Sequence, residues 1–154
     1  MCGIAGLFHL TTPKPVDPAR VERMCDAIVH RGPDDAGVYV SPGGRAALAR
    51  RRLAILDLSP AGHQPMPTPD GSLWIAYNGE VYNYADFRAE LAARGHQFRG
   101  HSDTEAILHL YQQEGPAMLA RLRGMFAIAI WDERERRLFL ARDRIGVKPL
   151  YYTC

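Results

Sequence analysis

Long apolar runs are absent from this 154-residue sequence, so no segment reads as a helix that crosses a bilayer. A basic, apolar, small-residue leader is also missing from its start, which argues against export. A large charge of either sign is missing too. The formal net charge is +2, too small to argue for nucleic acid or an acidic membrane as partner. The basic runs Arg50-Arg51-Arg52 and Arg134 to Arg137 are short, and Glu135 interrupts the second. Both read as local features rather than a binding stripe. Cysteine is scarce: three residues and no CxxC pair suggest neither a disulfide framework nor a zinc site. No GxxxxGK[ST] or GxGxxG follows a strand, which counts against a nucleotide site. Internal repeats, low-complexity tracts and linkers are likewise lacking. What remains is one mixed domain of ordinary globular composition, with the cytoplasm as expected compartment.

What is present begins at the first residues, Met1-Cys2-Gly3-Ile4-Ala5-Gly6. Aminopeptidases remove Met before a small residue, which would leave Cys2 with a thiol and a free α-amine on one residue. These groups titrate near ~8.5 and ~7.7–8 in model peptides. Such an amine can serve as base toward its own side chain, directly or through a water. Ile4 to His9 reads as a strand that would hold the thiol on a rigid element. Equally, Cys2 could simply follow the start codon.

Further along, Asp17-Pro18 predicts an N-cap with proline at the first helical position, and Val21, Met24, Cys25 and Ile28 supply one apolar face. Cys25 reads as a small buried hydrophobe. His30 to Asp35 forms a polar turn, and Val38–Val40 with Ala47–Ala49 predicts a hairpin around Ser41-Pro42-Gly43-Gly44. Leu53 to Leu58 is β-prone. Ser59 to Ser72, with four prolines and two glycines, predicts an irregular surface loop. Leu73 to Tyr77 reads as a strand entering Asn78-Gly79, and Tyr84 to Arg94 as a helix stopped by Gly95. Ser102-Asp103-Thr104-Glu105 matches a capping box opening a helix with Ile107, Leu108 and Tyr111. Gly115-Pro116 restarts a short helical stretch. Met125 to Trp131 and Leu138 to Ala141 then read as strands joined by a charged turn.

Several of these residues admit two readings. Asn78-Gly79 is a strong hairpin-turn signal, but an amide beside an unhindered backbone N–H also suits an oxyanion hole. Arg52, before an apolar run, is either a solvated charge or a guanidinium placed for a carboxylate. Asp103 is favoured at a helix start by the dipole alone. Together, Arg52 and Asp103 would suit the α-carboxylate and α-ammonium of an amino acid. His96, His101, Asp103, Glu105 and His109 carry metal-ligand chemistry without a recognised spacing, and no metal is expected.

In sequence order, MCGIAGLF, HRGPDDAGVY, RRLAILDLSPAGHQPM, YNGEVYNY, HSDTEAIL, GMFAIAIWD and ARDRIGVKPLYY cover nearly the whole chain. With these stretches it resembles the N-terminal glutaminase domain of glutamine-dependent asparagine synthetases, within the class II glutamine amidotransferases. Arg31-Gly32-Pro33-Asp34 favours that branch over phosphoribosyl-pyrophosphate and glucosamine-phosphate amidotransferases. The resemblance implies an α+β fold, a four-layer αββα sandwich of the N-terminal-nucleophile hydrolase type, and hydrolysis of glutamine to glutamate and ammonia. It implies Cys2 as nucleophile with its freed amine as base, and Asn78 and Gly79 as the oxyanion hole. Arg52 would hold the substrate α-carboxylate, and Asp103, helped by the Gly79-Glu80 segment, its α-amine. The backbone of Leu53, Ala54, Ile55 and Leu56 would line the pocket. Arg50 stands where many members carry His, at the expected outer wall of the pocket.

The same resemblance implies that residues 1–154 form an amidotransferase domain truncated at its C-terminal end. Further strands and an ATP- and Mg-dependent synthetase domain would follow, so no cofactor is expected within these residues. The Met125–Trp131 and Leu138–Leu140 strands would be short of partners. The implied partners are glutamine and a synthetase domain or its equivalent, with a homodimer allowed for the full-length protein. Two other functions stay open: the same glutaminase serving a peptide or saccharide-precursor acceptor, and a non-catalytic binding module.

Overall fold

The computed structural model describes residues 2–12, 14–53 and 62–154. Seven strands and three α-helices follow in the order β1 (Gly3–Phe8), α1 (Pro18–Ala27), β2 (Asp35–Val40), β3 (Ala46–Arg52), β4 (Met66–Pro67), β5 (Leu73–Val81), α2 (Tyr84–Ala93), α3 (Asp103–Glu114), β6 (Gly124–Asp132) and β7 (Arg137–Arg142). Among the described residues, the 3₁₀ stretches Val29–Arg31 and Gly115–Ala120 follow α1 and α3. Strands β1-β3-β2 form one antiparallel sheet and β4-β5-β6-β7 the other.

Three apolar layers hold the elements together. Between α1 and the first sheet lie Val21, Cys25, Ala47 and Ala49. Between the two sheets lie Leu48, Ala76, Ala129 and Trp131, with Ile4 and Phe8 against them. Beneath α2 and α3, against the second sheet, lies the largest cluster, including Ile75, Tyr77, Phe87, Leu91, Leu108 and Ile128. The order is therefore helix, sheet, sheet, helices: the αββα sandwich that the resemblance implies. Each fully buried Leu, Ile or Phe contributes about 1.5–3 kcal/mol relative to exposure, so the third cluster dominates stability.

Helix starts obey local chemistry. Asp17 accepts from the Ala19 amide at 3.0 Å with Pro18 at the first turn. Ser102 accepts from the Glu105 amide at 3.3 Å. The reciprocal half of the capping box is redirected, because the Glu105 carboxylate takes the Arg99 and Gly100 amides at 2.7 and 3.0 Å. That pins the preceding loop onto α3.

Three expectations change, and a fourth lies mostly outside the described residues. Asn78-Gly79 is not a turn: β5 runs on to Val81, with Asn78 opposite Ala127 and Gly79 opposite Phe126. A Cβ on Gly79 would overlap the Met125 carbonyl and Phe126 Cα, so glycine is required by strand packing. Segment 59–72 is not wholly a surface loop, since Met66–Pro67 pairs with β5 and Gln64, Met66 and Thr68 are buried. Met125–Trp131 is not short of partners, for β6 pairs with β5 on one side and β7 on the other. Among the described residues β7 is an edge strand of its sheet, opposite β4, with Leu140 39% exposed. Finally, β3 ends at Arg52, and the β-prone run 54–58 lies outside the described residues.

Candidate active site

Side chains alternate across a strand, so residue parity decides which layer each one enters. On β1, Ile4 and Phe8 face the space between the sheets, and Cys2 continues that parity one residue before the strand. On β3, Ala46 and Leu48 face the same space, which directs Arg50 and Arg52 there as well. Arg51 points the other way, onto α1, where it pairs with Asp26 and donates to the Cys25 carbonyl at 3.2 Å. The run Arg50-Arg51-Arg52 is thus no solvated patch: Arg50 and Arg52 are each 7% exposed. On β5, Trp74 and Ala76 face the first sheet and carry Asn78 to that side, whereas Tyr77 turns toward α3.

These parities converge on one cavity of about 150 Å³. Cys2, Arg52, Leu53, Asn78, Gly79, Glu80 and Asp103 all line it. Every described residue of the sequence-based candidate set is therefore brought to one place. Ala54, Ile55 and Leu56 lie outside the described residues.

The Cys2 sulfur sits 3.1 Å from Arg50 Nη2 and accepts from the Leu53 amide at 3.4 Å, with the Leu53 carbonyl 3.7 Å away. Arg31 Nη2 donates to the Cys2 carbonyl at 3.4 Å. This contact explains the Arg31-Gly32-Pro33 run. A Cβ on Gly32 would overlap the backbone of Arg51 and Arg52. Beyond it Pro33 bridges to Arg52, and the Asp34 amide donates to the Arg52 carbonyl at 3.0 Å. The turn lies flat along the end of β3, next to Cys2.

Across the cavity, Asp103 Oδ2 accepts from the Tyr77 hydroxyl at 2.7 Å and the Val81 amide at 3.0 Å. Burial, and then the Asp103 charge, push the Tyr77 phenol far above its ordinary range, so it stays a donor. Gln64 joins the same wall: its Oε1 accepts from the Tyr77 amide and its Nε2 donates to Thr104 Oγ1, both at 2.8 Å. Asp103 is therefore held from β5 as well as from its own helix start.

Sequence reasoning missed Arg50, Gln64, Tyr77, Thr104 and Lys148, all of which line the cavity. Arg50 was expected at the outer wall, and instead it touches the Cys2 sulfur. Strand parity from Ala46 and Leu48 would have found it; Gln64 and Lys148 carried no local signal.

The histidine-rich segment goes elsewhere. His96 Nδ1 and His109 Nδ1 are 3.2 Å apart, and His109 also meets Gln112. Among the described residues no three His, Cys, Asp or Glu side chains are grouped to hold a metal ion. No helix among them is long and apolar enough to cross a membrane.

An αββα sandwich of the N-terminal-nucleophile hydrolase type, with an amino-acid-sized cavity at the end of its inter-sheet layer, defines the class of this chain. The glutamine amidotransferase domain model matches residues 1–154, and the chain belongs to that family of enzyme domains. It is 43% identical over 155 residues to asparagine synthetase [glutamine-hydrolyzing] 2 of Bacillus subtilis, covering 99% of this chain and 20% of that protein. Asparagine synthetase B of Escherichia coli is 40% identical over 151 residues, covering 98% of this chain and 26% of its own length. The amidase chry2 of Gibberella zeae is 40% identical over 162 residues, 99% of this chain and 24% of that protein. The chain thus spans about a fifth to a quarter of these relatives. Among solved structures, the glutamine phosphoribosylpyrophosphate amidotransferase of B. subtilis superposes with a TM-score of 0.79, covering 95% of this chain and 38% of that one. At 21% identity this likeness speaks for the fold alone.

Proposed function

We propose that this domain hydrolyses the side-chain amide of glutamine to glutamate and ammonia, with Cys2 as nucleophile. The ammonia would serve an ATP-dependent synthetase domain that makes asparagine from aspartate. One observation carries the reading: Cys2, Arg52, Asn78, Gly79 and Asp103 line a single cavity in a chain of the amidotransferase family.

The chemistry follows from what each group can do. Once Met1 is removed, the Cys2 α-amine takes the thiol proton. The sulfur attacks the amide carbon, and the oxyanion lies against the Asn78 amide and the Gly79 N–H. Collapse breaks the C–N bond, and the α-ammonium returns its proton to the departing ammonia. Water then attacks the thioester, loses a proton to the amine, and releases glutamate. Arg52 matches the α-carboxylate as a bidentate donor, and Asp103, with the Gly79-Glu80 segment, matches the α-ammonium. Both contacts are unchanged during the reaction, so they serve binding.

The test is glutamate release from glutamine by the purified chain, with intact mass recorded. Cys2→Ala is expected to abolish turnover, while Cys25→Ala and Cys154→Ala leave the chemical step intact. An electrophilic glutamine analogue should label Cys2. Labelling of Cys25 in its place, or full turnover with Met1 still attached, would overturn the mechanism. The identity with the fungal amidase favours a second reading of the acceptor alone, in which the same ammonia serves another amidation. Asparagine formation by the longer protein from aspartate, ATP and glutamine separates the two.

A further inference from the structure

Arg50 is buried where a permanent positive charge is costly. Its Nε donates to the Tyr77 carbonyl at 3.1 Å, its Nη2 stands 3.1 Å from the Cys2 sulfur, and its buried Nη1 has no hydrogen-bond partner. A guanidinium does not deprotonate in proteins, and an uncompensated buried charge costs several kcal/mol. Of the two acceptors that it meets, the carbonyl is neutral and only the sulfur can become an anion. The sulfur also receives the Leu53 amide. Two donors converging on one sulfur favour thiolate over thiol, which is a weak acceptor.

We propose, resting on the reading of Cys2 as nucleophile, that Arg50 is a further catalytic residue that holds the attacking sulfur as its thiolate. The thiol proton passes to the Cys2 α-amine, giving an α-ammonium and a thiolate paired with Arg50. Attack spends the thiolate on the new S–C bond. The ammonium proton then leaves with ammonia, and the neutral amine takes the next proton from the hydrolytic water. When the thioester C–S bond breaks, the thiolate returns to Arg50 and the cycle closes. Arg50 thus supplies the stabilisation, and the amine only relays the proton.

The surrounding charges agree with this division. Arg31 beside β1, Arg52 on β3, Tyr77 and Glu80 on β5, Asp103 on α3 and Lys148 after β7 face the same site. Burial is the largest influence on Arg50 and lowers its proton affinity overall; a thiolate at Cys2 would raise it, Arg52 lowers it and Asp103 raises it. Among these, Cys2 is the strongest influence favouring the charged guanidinium.

The test measures the rate of Cys2 alkylation by neutral iodoacetamide from about pH 5 to about pH 9, by peptide mass, in the chain lacking Met1. In the wild-type chain the rate–pH curve is expected to lie below that of the same cysteine in urea, the direction that an opposite charge at this distance gives. Coincidence of the two curves overturns the proposal without any variant. Arg50→Met should move the native curve upward and slow labelling at neutral pH about tenfold or more, with Arg50→Lys moving it less. Cys25 reports folding: it is 2% exposed, with its thiol on the Arg50 carbonyl, and stays unlabelled in a native chain. A variant with Cys25 protected and an unmoved Cys2 curve overturns the role of Arg50. Turnover surviving in Cys2→Ala would instead overturn the nucleophile reading, whatever the Arg50 curves show.

Discussion

Tyr77 and Asp103 meet between β5 and α3, where the phenol donates to Asp103 Oδ2 across 2.7 Å. The Val81 amide reaches the same oxygen, so a strand and a helix from different parts of the chain orient one carboxylate. Under the proposed function, binding of an α-ammonium by Asp103 would depend on that orientation.

Tyr77→Phe removes one of these two donors and keeps the ring in the core. A hydrogen bond to a charged group is worth about 1.5–3 kcal/mol. Glutamine KM is expected to rise about tenfold while kcat changes little, because the contact precedes and outlasts the chemistry. A fall in kcat at constant KM would place Tyr77 in the chemical step.

Arg52→Ala and Asn78→Ala should separate binding from catalysis. The first is expected to raise KM about tenfold or more with kcat nearly kept. The second is expected to lower kcat by about 10²–10³, the loss for one oxyanion donor. Steady-state kinetics on both variants decides it; an Asn78 variant changed only in KM would end the oxyanion assignment.

Gly79→Ala tests strand packing rather than chemistry. The new methyl would collide with Met125 and Phe126 on β6, and overpacking of this kind costs about 1–3 kcal/mol. At Gly43 a Cβ meets nothing, so Gly43→Ala should stay within about 0.5 kcal/mol. Urea melts of the two variants side by side give the comparison, and equal midpoints would contradict the packing argument.

The His109 ring takes up protons less readily when folded, first because it is buried, while Gln112 works against this and His96 adds to it. The unfolded chain therefore binds more protons below about pH 6.5. Stability due to this group is present above that pH and is lost as pH falls through the folded value. The urea midpoint should drop on acidification from about pH 6.5 toward about pH 5, and the drop should shrink in His109→Gln. A wild-type midpoint constant over that range would remove His109 as the cause.

Much of the architecture was legible because it follows from contacts a few residues apart. The Asp17-Pro18 and Ser102 helix starts and the hairpin around Ser41–Gly44 are local hydrogen-bonding and backbone preferences, and they form where the residues predict. The candidate residues Cys2, Arg52, Asn78 and Asp103 were legible in another way, through motifs matching a family. The hairpin reading of Asn78-Gly79 failed because a local turn preference lost to a nine-residue ladder with β6.

By itself, then, the sequence determined the element types, the helix caps, the family and seven of the fifteen residues that line the cavity. Only the tertiary structure decided which way Arg50, Arg51 and Arg52 point, that Tyr77 and Gln64 brace Asp103 and Thr104, and that Arg50 meets the Cys2 sulfur. The physical reason is separation along the chain. Arg50 lies 48 residues from Cys2, and Tyr77 lies 26 from Asp103. Such contacts arise from the packing of one sheet on another and of α3 on β5, which no local propensity encodes.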